Sequence, residues 1–130
     1  MTVRRPLRAL ALLLAATALA LAAAPATAAA ANGCGPAGFG PLVPDRPLGA
    51  DFHAACDRHD DCYTTPWRTT AAPTRAEAKL TCDTRFLADL QDACFDAGAR
   101  HVNACLDVAD VYYRAVRSWF GDVAYAAAQS

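Results

Sequence analysis

An all-α fold, a small helical domain stapled by disulfides, is the class this sequence predicts, and three observations predict it. Apolar residues recur at helical spacing in three stretches between residues 51 and 120. No stretch sustains the period-two alternation of a half-buried strand, and no Asn-Gly turn joins two such stretches. All six cysteines follow residue 33, behind a leader that reads as an export signal, so they have an oxidising compartment in which to pair. The expected architecture is a glycine-rich loop, two antiparallel core helices and a third, C-terminal helix.

The leader comes first. Arg4, Arg5 and Arg8 give a positive start, residues 9–24 are Ala and Leu broken only by Thr17, and the small residues at 26–31 offer A-x-A cleavage sites. A run of sixteen residues dominated by weakly apolar Ala falls short of the roughly 20 that span a bilayer. A removed signal peptide at residues 1–31 is therefore expected, followed by one domain at 32–130. Losing the leader removes three arginines and moves the formal net charge from −1 to about −4. No basic patch then attracts nucleic acid, which excludes that class of partner, and any membrane contact has to be apolar or local.

Residues 32–48 form a crowded loop in which Gly33, Gly35, Gly38 and Gly40 are interspersed with four prolines. Glycine at that density permits close backbone approach, as a cradle of carbonyls and amides requires. Phe39, Leu42, Val43 and the later Trp67 offer either an apolar rim or core filling. The first helix is expected to be capped by Asp51, to carry Phe52, Ala55, Cys56, His59, Cys62 and Tyr63, and to stop before Pro66. Thr74 and Glu77, after Pro73, make a capping box for the second, which carries Leu80, Cys82, Phe86, Leu87, Leu90 and Cys94 as far as Gly98. The third is expected from about His101 to Phe120, with Val102, Cys105, Ala109, Tyr112, Tyr113, Val116 and Trp119 inward and Gly121 ending it. On this pattern Trp119 and Phe120 are core residues, residues 124–130 fray, and His53 and His101, single histidines without a partner at ligand spacing, are surface or helix-end residues.

The densest polar cluster, CDRHDDCY at residues 56–63, falls in the middle of the first helix. His59 and Tyr63 are four apart and share a face, whereas Asp60 is turned about 100° away. Cys56 and Cys62 leave the helix on different flanks, so His59 sits between two covalent pins. Three readings compete. Zinc would take the C-x-x-H-x-x-C run, but exported cysteines are better employed in disulfides and these two diverge. A solvated face of mixed charge explains the run without chemistry. The third makes His59 a general base beside a carboxylate that holds a hard cation, with loop carbonyls completing the oxygen cage that Ca²⁺ requires.

GCGPAGFG at 33–40 resembles the calcium loop of secreted phospholipase A2, ACDRHDDCY at 55–63 resembles that family's active-site helix, and TCDTRF at 81–86 resembles the step that supplies its second catalytic acid. The three occur in the family's order. The short interval from Cys62 to Cys82 leaves no room for a β-wing and, with the late Cys94 and Cys105, is most similar to the group XII branch or its bacterial relatives. The resemblance implies a secreted, monomeric, calcium-dependent enzyme that hydrolyses the sn-2 ester of glycerophospholipids at membranes or aggregates, releasing a fatty acid and a lysophospholipid. It implies His59 as general base, Asp83 orienting it, Tyr63 hydrogen-bonded to Asp83, and the Gly35 amide at the oxyanion. Asp60 and the carbonyls of Gly33, Gly35 and Ala37 would be the Ca²⁺ ligands. The resemblance also implies the bridges Cys34–Cys56, Cys62–Cys82 and Cys94–Cys105, which spacing alone leaves open.

The chemistry is consistent with those roles. An imidazole acting as base needs its second nitrogen held, and a buried acid does that while stabilising the imidazolium. No nucleophilic serine is required, and Ser118 and Ser130, the only two, have no triad context. The sequence departs from the family pattern at Ala55 and Asp89, where a further bridge is lost at both ends, at Gly33, which replaces an aromatic residue, and at Ala37, which replaces a glycine. Asp45 and Asp51 lie between loop and helix, where each is a further candidate for the ion; Asp51 is read as a cap. Two other readings remain: a non-catalytic lipid- or membrane-binding homologue, and a saposin-like module, which gives no reason for a glycine loop before His59-Asp60.

Overall fold

The computed structural model describes residues 33–35, 43–98 and 100–130. The leader at residues 1–31, and Ala37, Phe39 and Leu42, lie outside the described residues. Among the described residues there are four α-helices and no strand: α1 (His53–Thr64), α2 (Arg75–Asp96), α3 (Val102–Val116) and α4 (Trp119–Ala128), with single 3-10 turns at Pro47–Gly49 and Trp67–Thr69.

Each boundary has a local cause. Asp51 accepts a hydrogen bond from the His53 amide at 3.1 Å and so supplies a partner to the first turn of α1. Pro66 disfavours helical backbone at Thr65, which lies at φ −67°, ψ 121° and ends the helix. At the start of α2 the Thr74 hydroxyl accepts from the Glu77 amide at 3.2 Å and donates to its carboxylate at 2.7 Å. Gly98 adopts φ 93° just beyond its end, a conformation that favours glycine.

The first three helices run antiparallel in sequence order. Arg58 meets Asp89 while Tyr63, further along α1, meets Asp83, earlier on α2. Cys94 joins Cys105 at one end of the α2–α3 pair while Asp83 meets Arg117 at the other. The main core gathers Phe52, Ala55, Phe86, Leu90 and Ala109 around the Cys34–Cys56 and Cys94–Cys105 bridges, with Val43 packed against it. A smaller cluster of Tyr63, Ala78, Cys82 and Tyr125 is completed by Trp67, which fills this cluster. At the two positions where the resemblance would place a further bridge, Ala55 is buried and Asp89 accepts from Arg58 at 2.9 Å.

The C-terminal region corrects the sequence reading. The third helix stops at Val116, not Phe120, and Ser118, extended at φ −84°, ψ 176°, starts a fourth. Residues 124–130 do not fray. Tyr125 is buried and packs edge-on against Tyr63 at 4.9 Å, and Gln129 accepts from the Trp67 amide at 2.9 Å while donating to the carbonyls of Tyr63 and Thr65. Gly121 does not end a helix but lies inside α4, where an added Cβ would stand 1.8 Å from the Val116 carbonyl oxygen. Glycine there lets the corner close. The change of direction also turns Trp119 and Phe120 out of the core, leaving them 69% and 75% exposed.

Candidate active site

His59 occupies the middle of α1 and is only 6% exposed, so the cluster around it is not simply a solvated face. Bridges pin α1 on both sides: Cys34–Cys56 ties it to the glycine loop and Cys62–Cys82 ties it to α2. Both thiols of the C-x-x-H-x-x-C run are thereby consumed, which removes the zinc reading. Because Asp83 follows Cys82 directly, the second bridge brings its carboxylate to α1.

Asp83 is completely buried, and both of its oxygens are saturated. Oδ1 lies 3.0 Å from His59 Nε2 and accepts from the Tyr63 hydroxyl at 2.6 Å. Oδ2 accepts from Lys79 Nζ at 2.8 Å and from Arg117 Nη1 at 3.1 Å. Burial alone would push the acid up, but the bonds from His59, Lys79, Tyr63 and Arg117 together outweigh it and hold its pKa at about 2. An ionised carboxylate only accepts, so His59 Nε2 is the donor of this pair and Nδ1 is left outside it. The ring is stacked on Phe86, with centroids 4.5 Å apart, and tilted against Tyr63 at 4.1 Å, which fixes its plane. Burial, and then Asp83, push the Tyr63 phenol well above its ordinary range, so it remains a donor.

Lys79 and Arg117 are site residues that sequence reasoning missed. Lys79 had a detectable signal, since it lies four residues before Asp83 on one helix face. Arg117 had none, because it reaches Asp83 only through the corner between α3 and α4.

Gly33 and Gly35 both adopt positive φ, 87° and 96°. The Gly33 amide donates to Asp57 at 2.8 Å and the Cys34 amide to Asp45 at 2.6 Å. Between these carboxylates stands His53, with Nδ1 3.1 Å from Asp45 and Nε2 3.1 Å from Asp57. His53 is the exposed first residue of α1, as expected of a surface or helix-end histidine. It also bridges the two acids that hold the loop backbone. Its pKa is raised by the Asp45 hydrogen bond first and the Asp57 charge next, and Asp45 is lowered by the Cys34 amide and then by His53. His53 and Asp57 are four residues apart, which was the available sequence signal. His101 stands exposed at the start of α3. Asp51 accepts from the His53 amide and from Arg46 at 3.2 Å, but it stands one residue ahead of the N-cap position expected for it, which Phe52 occupies.

Asp60 is half-buried on the face adjoining His59. Burial raises its pKa, with Asp57 and Asp61 adding and His59 opposing. Among the described residues no hydrogen bond or ion pair reaches its carboxylate, so its charge lacks a counterpart there. Among the described residues no group of three His, Cys, Asp or Glu side chains forms a metal cluster. A cation at Asp60 would therefore depend on backbone oxygen. Carboxylate and carbonyl oxygens are the hard donors that Ca²⁺ takes, and the Cys34–Cys56 bridge ties Gly33 and Gly35 to the helix that carries Asp60. Ala37, the remaining expected ligand, lies outside the described residues.

The family model described as prokaryotic phospholipase A2 matches residues 20–121. A secretory phospholipase A2 of Beauveria bassiana (strain ARSEF 2860) is 37% identical over 79 residues, covering 59% of this chain and 38% of that relative's length. No solved structure matches the chain.

Proposed function

The chain belongs to the prokaryotic phospholipase A2 family, and on that premise we propose that it hydrolyses the sn-2 ester of glycerophospholipids by a water activated at His59, with Ca²⁺ as cofactor. The observation that supports this reading best is the buried His59–Asp83 pair at 3.0 Å, which leaves Nδ1 as the basic nitrogen. His59 Nδ1 takes a proton from water as the water oxygen bonds to the ester carbonyl carbon. Asp83 stabilises the imidazolium that forms, without itself taking the proton. Collapse of the tetrahedral intermediate breaks the bond to the glycerol oxygen, which receives the proton from His59, giving a fatty acid and a lysophospholipid. The Gly35 amide donates to the developing oxyanion.

Asp60 and the carbonyls of Gly33, Gly35 and Ala37 would hold the cation, whose chemistry when bound is to polarise the ester carbonyl. Secretion is part of the same proposal, supported by the leader at residues 1–31 and by three disulfides. The substrate is a phospholipid aggregate or membrane surface, and the working unit is a monomer. The test is fatty acid release from phosphatidylcholine vesicles with calcium or with chelator, for the wild type, His59→Gln and Asp60→Asn. Both variants are expected to lose about 10³-fold or more. Activity in chelator, or activity surviving either substitution, overturns this mechanism. Vesicle binding without hydrolysis by the wild type would leave the non-catalytic reading.

A further inference from the structure

We propose that Lys79 is a positioning residue for the His59–Asp83 pair, held in that role by the corner between α3 and α4; this rests on the hydrolytic reading above. Lys79 is 6% exposed, a rare position for an ammonium group. Its ammonium donates to Asp83 Oδ2 at 2.8 Å and to the Val116 carbonyl at 2.7 Å, and pairs ionically with Asp122 at 3.3 Å. These come from three helices. Asp83 belongs to α2 like Lys79 itself, Val116 is the last residue of α3, and Asp122 lies in the first turn of α4.

The corner is shaped for this contact. The Val116 carbonyl is among the last four of its helix, which have no intrahelical partner, and Lys79 supplies one. Gly121 lets α4 lie against that same carbonyl, since a Cβ there would stand 1.8 Å from its oxygen. The next residue, Arg117, brings a second cation onto Asp83 Oδ2 at 3.1 Å. With Oδ2 occupied from this side, the carboxylate presents Oδ1, and only Oδ1, to Tyr63 and His59. Lys79 thus sets the rotation of Asp83, and Asp83 sets the imidazole. Without Lys79 the carboxylate keeps one cation and gains a second orientation, and His59 Nε2 loses its fixed acceptor.

The test compares Lys79→Met and Lys79→Arg by steady-state kinetics on phosphatidylcholine mixed micelles and by exchange of the His59 Nε2 proton, observed in ¹⁵N-labelled protein. Lys79→Met is expected to lower kcat by about 10- to 100-fold with KM within about twofold, and Lys79→Arg to recover most of the loss. The Nε2 proton should exchange slowly in the wild type and fast in Lys79→Met. Should Lys79→Met not fold, Asp122→Asn loosens Lys79 from the exposed side, and a smaller effect of the same kind is expected. A wild-type kcat in Lys79→Met, no difference between the Met and Arg variants, or an Nε2 proton equally protected in all of them overturns the proposal. If the wild type hydrolyses no phospholipid, the reaction assigned above fails, while proton exchange at His59 still decides the role of Lys79.

Discussion

Asp83→Asn removes one charge from the site and keeps its shape. In the folded chain the carboxyl group has a pKa of about 2 against an ordinary 3.8, a difference worth about 2 kcal/mol. A depressed pKa means that this stabilisation is fully present above about pH 4 and is lost as pH falls through about 2. The substitution also leaves Lys79, 6% exposed, and Arg117 facing a neutral amide. Breaking a buried pair in this way costs about 3–5 kcal/mol. At pH 7 the variant is therefore expected to be about 3–5 kcal/mol less stable, a Tm about 12 °C lower or more at about 4–8 °C per kcal/mol for a domain of this size. The assay is urea denaturation followed by circular dichroism from pH 7 to pH 2. The gap between wild type and variant should narrow by about 2 kcal/mol on crossing pH 4 to 2. Activity should fall about 10⁴-fold, because an amide can donate to Nε2 and force the proton onto Nδ1, the wrong tautomer. A variant as stable as the wild type at pH 7, or a gap that does not change with pH, refutes this charge balance.

Other substitutions separate the loop, the cation and the surface. Burial raises the Asp60 pKa, so without calcium Asp60→Asn should melt at or above the wild type. Calcium at 100 times its Kd should add about 2.7 kcal/mol to the wild type and nothing to Asp60→Asn; equal stabilisation of both contradicts a site at Asp60. Gly33→Ala would force a Cβ to within 2.6 Å of both Asp45 oxygens at φ 87°, so it should cost about 2 kcal/mol in urea denaturation and weaken calcium binding by calorimetry. Wild-type values in both measurements would show that the loop is not held by Asp45. Trp119→Ser and Phe120→Ser should each change stability by less than about 0.5 kcal/mol, because both side chains face solvent. A loss of several kcal/mol would return them to the core.

Much of this molecule is legible in its sequence because local chemistry decides it. Pro66, the Thr74–Glu77 pair and Gly98 set helix ends through contacts a few residues long, and the helical spacing of Phe52, Ala55, Phe86 and Leu90 marks the side that becomes the core. His59 and Tyr63 are legible as one helix face, and Asp83 through the motif around Cys82. What the sequence hides depends on direction in space. The apolar pattern that begins at Val102 runs on past Ser118 to Phe120, and the turn after Val116 falls inside it, so Trp119 and Phe120 read as core. Arg117 reaches Asp83 only because of that turn. His53 shows one partner at helical spacing, Asp57, but Asp45 comes to it through the fold of the loop.

The most direct measurement uses vesicles of a phosphatidylcholine with a saturated chain at sn-1 and an unsaturated chain at sn-2, and identifies the acid released. Hydrolysis by His59-activated water beside a calcium cradle predicts release of the unsaturated acid and the saturated lysophospholipid in calcium, and neither product in chelator or with His59→Gln. Release of the sn-1 acid, or equal release in chelator, would contradict it.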